Sequence, residues 1–239
     1  MQARAEIYAG TEIALRTRHG KQRVIAPALE DALGCRVHHV DGYDTDPFSG
    51  MSPWNVEVIV FIGSLRNLEI VGIAQDRGNF RHLLTHEWRA LETFAQEAGF
   101  PHQQLVVRPR DEHDRCIRKG IHTWAELEAA LAWAVAAAEN GLAFVETDDR
   151  AHANPTRMAN VGLAAADLAV RLASPCPACG TPGYWQVDRV AGLPCAGCGA
   201  PTRETRAWVH GCLKCAHRET HPLSGPSHVD PGCCDVCNP

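Results

Sequence analysis

The sequence has no apolar run long enough to cross a bilayer. Its longest, Ala129 to Ala138, falls well short of the roughly 20 residues a spanning helix needs, and Glu126 and Glu128 stand just before it. The opening Met-Gln-Ala-Arg-Ala-Glu lacks the apolar core of a secretory signal. A cytoplasmic protein is therefore expected, with reduced thiols rather than disulfides and no membrane partner. Positive charge is not in excess either. With 23 Lys and Arg against 28 Asp and Glu, the net charge of -5 excludes a broad electrostatic grip on nucleic acid. Aromatics are scarce at 6%, and the C-terminal part offers chiefly Tyr184, Trp185 and Trp208 for stacking on bases.

Cysteine is what the chain has in quantity. Eight of its 11 cysteines form four Cys-x-x-Cys pairs in the last quarter: Cys176/Cys179, Cys195/Cys198, Cys212/Cys215 and Cys234/Cys237. Each pair places two thiolates on one side of a tight turn, and two pairs complete the tetrahedral sulfur shell of a structural zinc, so two Zn2+ ions are expected. A thioredoxin-like pair would sit at a strand-to-helix junction, whereas these four sit among Gly and Pro. The short spacers predict sequential pairing, the first pair with the second and the third with the fourth. An interleaved cross-brace stays open, because spacing does not fix ligand pairing. Cys233 abuts Cys234, and the spacing to Cys237 selects Cys234. Cys35 reads as a small residue opening a strand and Cys116 as a loop residue.

At 239 residues and 26.0 kDa there is room for one larger domain and a small module. Strands are expected over Glu12–Thr17, Cys35–Val40, Val56–Gly63, Leu68–Ala74, Gln104–Arg108 and Leu142–Glu146, with a hairpin turn at Ser64 to Asn67. Ile25, Leu29 and Leu33 mark a first helix whose start Pro27 delays. Thr85 is the expected N-cap of a second, with Trp88, Leu91, Ala95 and Ala98 on one face and Gly99 at its end. Thr123 and Glu126 form a capping box ahead of Trp124, Leu127, Leu131 and Val135. Asn154-Pro155 caps a long helix carrying Met158, Val161, Ala165, Leu168 and Leu172. Strands alternating with helices predict an α/β domain over residues 1–173, a mostly parallel sheet flanked by helices. Residues 174–239 are then a double zinc-ribbon module that needs metal to fold.

In a parallel sheet the strand-to-helix loops emerge at the carboxyl ends of the strands, where ligands bind. Four polar loops would share that rim. They carry His19 and Lys21; Asp44 and Asp46; Arg108, Arg110 and Lys119; and Asp148, Asp149, Arg150, His152, Asn154 and Arg157. In this reading Lys21 and Arg157 hold phosphates, with His19, Arg150 and Asn154 as further ligand contacts. Asp44, Asp46 and Asp148 would take Mg2+, and Asp148 and His152 are the catalytic candidates. The expected ligand is a phosphate-containing small molecule. Each residue also has a purely structural use: Asp148 in a turn, Asn154 as a cap, Arg150 and Arg157 paired with neighbouring acids.

The stretches Arg18-His-Gly-Lys21, Asp44-Thr-Asp46, Gly99-Phe-Pro101, Val106-Val-Arg-Pro109, Lys119-Gly-Ile121, Thr147-Asp148, Arg150-Ala-His152, Asn154-Pro-Thr-Arg-Met158, Gly192-Leu-Pro-Cys195 and Cys237-Asn-Pro239 resemble, in the same order, an uncharacterised bacterial family of cytoplasmic proteins ending in zinc ribbons. That family has no established activity. The N-terminal half is more remotely similar in layout to the house-cleaning nucleoside triphosphate pyrophosphatases, with a Lys after the first strand and acidic residues further on. The chain departs from the family twice. A block of several dozen residues is missing after Asp46, and Asp149 stands where the family has Met. Three functions compete. One is a nucleotide or phosphate-ester site, hydrolytic or not. Another is a non-enzymatic protein whose ribbons present Arg203, Arg206, Lys214 and Arg218 to a nucleic acid or protein partner. The third is a degenerate member that keeps the fold without the activity.

Overall fold

A computed structural model of the chain describes residues 27–31, 54–63 and 68–239, without the side chains at 54, 55 and 60–63. Residues 27–31 are helical, with Pro27 first and Leu29 buried. Alternating burial then builds two long strands, β1 (Trp54–Gly63) and β2 (Leu68–Arg77), paired antiparallel from Trp54 opposite Arg77 to Gly63 opposite Leu68. Ile59, Leu68 and Ile70 turn inward.

The next elements are β3 (His82–Thr85), α1 (Trp88–Ala98), β4 (Leu105–Pro109), β5 (Arg118–Ile121), α2 (Trp124–Ala137), β6 (Ala143–Thr147) and α3 (Pro155–Leu172). Thr85 ends β3 instead of capping α1; its hydroxyl accepts from the Glu87 amide, and Glu87 is the cap position. Gly99 closes α1 in the left-handed region at φ 88°, a conformation glycine adopts without strain. α2 begins with the expected box, Thr123 Oγ1 accepting from the Glu126 amide at 3.2 Å and Glu126 Oε2 from the Thr123 amide at 3.1 Å.

The expected parallel sheet is absent among the described residues. The four strands lie in the order β3-β6-β4-β5 with every neighbouring pair antiparallel, and all three sheets among the described residues are antiparallel. The local pattern misleads for a definite reason. β3 and β4 do run the same way across α1, as do β5 and β6 across α2. However, β6 is inserted between the first two and β4 between the second two. A split strand-helix-strand unit has the same sequence alternation as an unsplit one, and only tertiary pairing decides which strand fills the gap. The carboxyl ends therefore do not share one rim. β5 and β6 end at one edge of the sheet, β3 and β4 at the other, as Leu105 opposite both Ile121 and Thr147 shows. Moreover, Arg118–Gly120 of β5 fall in the polar loop expected to carry Arg110 and Lys119.

Leu105, Val107, Ile121 and Val145 face α1 and α2 and meet Leu91, Ala95, Leu127, Leu131 and Ala134 in one core. The alternation of the same strands places Val106, Arg108, Phe144, Glu146 and His82 on the opposite face. Gly72 of β2 meets α3, where an added Cβ would strike the Ala164 carbonyl oxygen and Leu168 Cβ. Among the described residues no helix is long and apolar enough to cross a membrane.

The chain divides into two compact units between Ala169 and Val170. The second is a three-stranded meander, β7 (Trp185–Ala191), β8 (Thr205–Gly211) and β9 (Arg218–Pro222), with the four cysteine turns at its ends.

Candidate metal centres and a charged cleft

The four cysteine turns are shaped before any metal is considered. Pro175-Cys-x-x-Cys-Gly-x-Pro182 is repeated as Pro194-Cys-x-x-Cys-Gly-x-Pro201, and each is closed by a bridge between its prolines. In the first, the Gly180 amide donates to the Cys176 carbonyl and the Cys176 amide to the Thr181 carbonyl. The second repeats this with Gly199, Cys195 and Ala200. Positive φ at Gly180 (69°) and Gly199 (73°) lets the chain turn back under the sulfurs.

These turns bring eight sulfurs into two tetrads, Cys176, Cys179, Cys212 and Cys215 in one and Cys195, Cys198, Cys234 and Cys237 in the other. Within each tetrad the ligand atoms all lie within 4.8 Å of one another. The sequential pairing expected from the spacers is overturned, and the interleaved arrangement is found. β7 separates the first turn from the second, and seven strand residues span roughly 23 Å at about 3.3 Å each. β8 returns antiparallel, with Gly211 opposite Trp185, and so delivers the third turn to the first. β9 runs back again, and Val229 bridges Cys195, holding the last segment against the second turn.

The thiols are free, and the closest sulfur pairs are 3.6 to 3.8 Å apart, far beyond a disulfide bond. Hydrogen bonding to the Thr181 hydroxyl and backbone lowers Cys179 to about 6, and backbone amides of Cys198 and Gly197 lower Cys195 to about 7. Their neighbours move oppositely, Cys237 being pushed up to about 12 by hydrogen bonds to Cys198 and Cys195. Four crowded thiols do not all ionise together without a cation, and both tetrads are placed to hold a metal ion. Cys233 is exposed and belongs to neither tetrad.

In the first unit, the loop after β6 carries most of the remaining candidates. Asp148 is buried, and its carboxylate accepts from the Gly120 amide at 3.1 Å, the Arg150 amide at 3.1 Å and the Arg150 guanidinium at 2.9 Å. Burial pushes this acid up, yet the Arg150 guanidinium and the two amides outweigh it and hold it below the usual carboxylate range. With Nη2 of Arg150 as a fourth donor, the lone-pair directions are filled, leaving none for Mg2+. Asn154 is buried and caps α3, accepting from the Arg157 amide at 3.0 Å. Arg157 is buried too, donating from Nε to Glu57 Oε1 at 2.6 Å and from Nη1 to the Asp149 carbonyl at 2.6 Å. His152 is exposed on the turn Ala151–Ala153. His19, Lys21, Asp44 and Asp46 lie outside the described residues.

A cleft of about 310 Å3 opens on the sheet face opposite α1 and α2. Phe80 and Val106 give it an apolar floor, and Arg108, Lys119, Arg150 and Arg157 reach it together with Glu146, Asp148 and Asp149. Three arginines are already engaged: Arg150 with Asp148, Arg157 with Glu57, and Arg108 with Glu146 at 2.6 Å. The Lys119 ammonium has no hydrogen bond or ion pair among the described residues, and Arg108 Nε is buried without an acceptor. Arg110, expected on the same rim, pairs with Asp114 at the other edge of the sheet. Arg203, Arg206, Lys214 and Arg218 are exposed on the second unit, where Arg203 pairs with Asp235.

Sequence reasoning missed Glu57, Asn79, Gln103 and Glu146. Glu57 carried a signal, an acid within Val56-Glu-Val-Ile-Val-Phe61, since a charge on a buried strand requires a buried partner. Gln103, also buried, donates to the Asp148 carbonyl at 3.0 Å, and Asn79 accepts from Asn154 at 2.8 Å; nothing local marks either as a brace of this loop.

A family model described as a domain of unknown function, DUF6671, matches residues 37–239. No curated protein and no solved structure matches the chain, so the layout shared with nucleoside triphosphate pyrophosphatases gains no support.

Proposed function

The chain belongs to the DUF6671 family of unknown function, and from that premise we propose a cytoplasmic zinc protein whose first unit binds a small phosphate-bearing ligand in its charged cleft. Zinc is favoured by distance. A Zn–S bond of about 2.3 Å in a tetrahedron sets sulfurs about 3.8 Å apart. The closest pairs here stand at 3.6 to 3.8 Å. Closed all-sulfur sites are structural, and the two ions clamp the ends of a meander too small to hold itself. Metal analysis finding fewer than two zinc ions per folded chain refutes this half of the reading.

The ligand rests on one observation, the unpaired Lys119 ammonium in a cleft floored by Phe80 and Val106. A free ammonium lining the same cleft as the guanidinium groups of Arg108 and Arg150, over an apolar floor, suits a phosphate ester with a ring or carbon body. The volume lies at the lower end of the usual ~300–1,000 Å3, which fits a mononucleotide or sugar phosphate. Binding is proposed rather than hydrolysis, because Asp148 and Glu146 are held by arginines. The test is thermal unfolding against mononucleotides and sugar phosphates, with and without Mg2+. A ligand at a hundredfold its Kd stabilises by ~2.7 kcal/mol, and Lys119→Ala should abolish the shift. No shift in the wild type, or an equal shift in the variant, refutes the cleft.

A further inference from the structure

The cysteine tetrads do not exhaust the metal-binding side chains of the second unit. The pattern His217-x-Glu219-x-His221 leads into β9; strand alternation puts Glu219 and His221 on one face and Arg218 and Thr220 on the other, and His217, just before the strand, contacts Glu219. Glu219 lies directly opposite His210 of β8. The result is a carboxylate set between imidazoles. Its Oε1 is 3.0 Å from His217 Nε2 and its Oε2 is 3.5 Å from His221 Nε2, while the rings of His210 and His221 are 4.5 Å apart. Tyr184 packs on both His210 and His217, and its hydroxyl is buried without a hydrogen-bond partner among the described residues.

We infer that His210, His217, Glu219 and His221 form a third metal site, for a divalent first-row transition ion, distinct from the two cysteine tetrads. Ligand chemistry selects the class. Imidazole with carboxylate suits zinc, nickel or copper, whereas magnesium and calcium prefer oxygen alone. Only the two contacts of Glu219, 3.0 Å to His217 and 3.5 Å to His221, come near the roughly 3.4 Å that separates ligands about 2.1 Å from a tetrahedral ion. The buried Tyr184 hydroxyl supplies a donor for a water or carboxylate oxygen on the ion. This site is looser than the tetrads, since its atoms are not all drawn within one ion's reach. Side-chain rotation must gather them; β9 is an edge strand, and His217, Glu219 and His221 are 29%, 44% and 48% exposed. The ion it holds is therefore exchangeable, while those in the tetrads are structural.

The experiment is equilibrium dialysis of the full chain against micromolar Zn2+, with metal counted per chain. Wild type should bind three equivalents, the third removed by a weak chelator that leaves the other two. Glu219→Gln and His221→Ala should bind two, and Thr220→Ala, on the other face of the strand, should bind three. A second measurement needs no variant: the imidazole resonances of His210, His217 and His221 should shift as the third equivalent is added. Two equivalents in wild type, three in both site variants, or unmoved imidazole resonances overturn the site.

Discussion

Cys179 Sγ stands 3.6 Å from Cys212 Sγ, although all of β7 and β8 lies between the two residues in sequence. That contact defines the interleaved arrangement and separates it from the sequential one by experiment. With the tetrads as found, Cys179→Ser/Cys212→Ser removes ligands from one centre, and Cys179→Ser/Cys195→Ser removes one from each. The first variant should keep one tightly held ion per chain. The second should weaken both. Chelator competition distinguishes these outcomes, and the reverse pattern would restore sequential pairing.

The number of cysteine tetrads was legible in the sequence because a Cys-x-x-Cys turn is local. Their pairing was not, because it depends on how many strands intervene and which way each runs. The same division holds elsewhere. Thr123 with Glu126 and Asn154 with Pro155 declare helix starts through contacts three residues long. The order β3-β6-β4-β5 declares itself nowhere locally, so the shared rim inferred from it dissolves. Asp148, Arg150 and Arg157 nevertheless meet at one cleft, because they lie on one loop and the helix it enters. Lys119 joins them from β5, whose end adjoins that loop.

Arg157 and Glu57 form an ion pair with side-chain exposures of only 7% and 4%. Removing one partner of a buried ion pair typically costs 3–5 kcal/mol. Arg157→Ala and Glu57→Ala should each lower stability by about that amount in urea unfolding. The double variant should cost less than the sum of the singles, since the contact between the two is lost only once. Additive losses would mean that the pair contributes nothing as a pair.

Gly72 marks the contact between β2 and α3. Because a Cβ there meets the backbone of Ala164 as well as the Leu168 side chain, rotamer changes cannot relieve the overlap. Gly72→Ala should therefore destabilise by about 1–3 kcal/mol, the usual cost of overpacking. Gly225, with open space around its Cβ position and, like Gly72, no positive φ, serves as the control for the substitution itself. Urea midpoints for the two alanine variants are the readout, and a smaller loss at Gly72 would contradict the close helix approach.

Asp148 predicts a pH dependence with a definite sign. Its folded pKa lies below the ordinary value of about 3.9, since Arg150 and two amides stabilise the carboxylate. Below that ordinary value the unfolded chain takes up the proton first, so stability rises with pH there. The contribution is fully present above about pH 4–5 and is lost as pH falls through the folded pKa. Asp148→Asn, which keeps the shape and removes the charge, should be less stable at pH 7 and lose less than wild type on going to pH 3. Any metal held by the cysteine tetrads would also be released by acid, but that loss is common to both proteins and cancels in their difference. Equal acid sensitivity of the two would show that the Arg150 pair does not hold the charged form of Asp148.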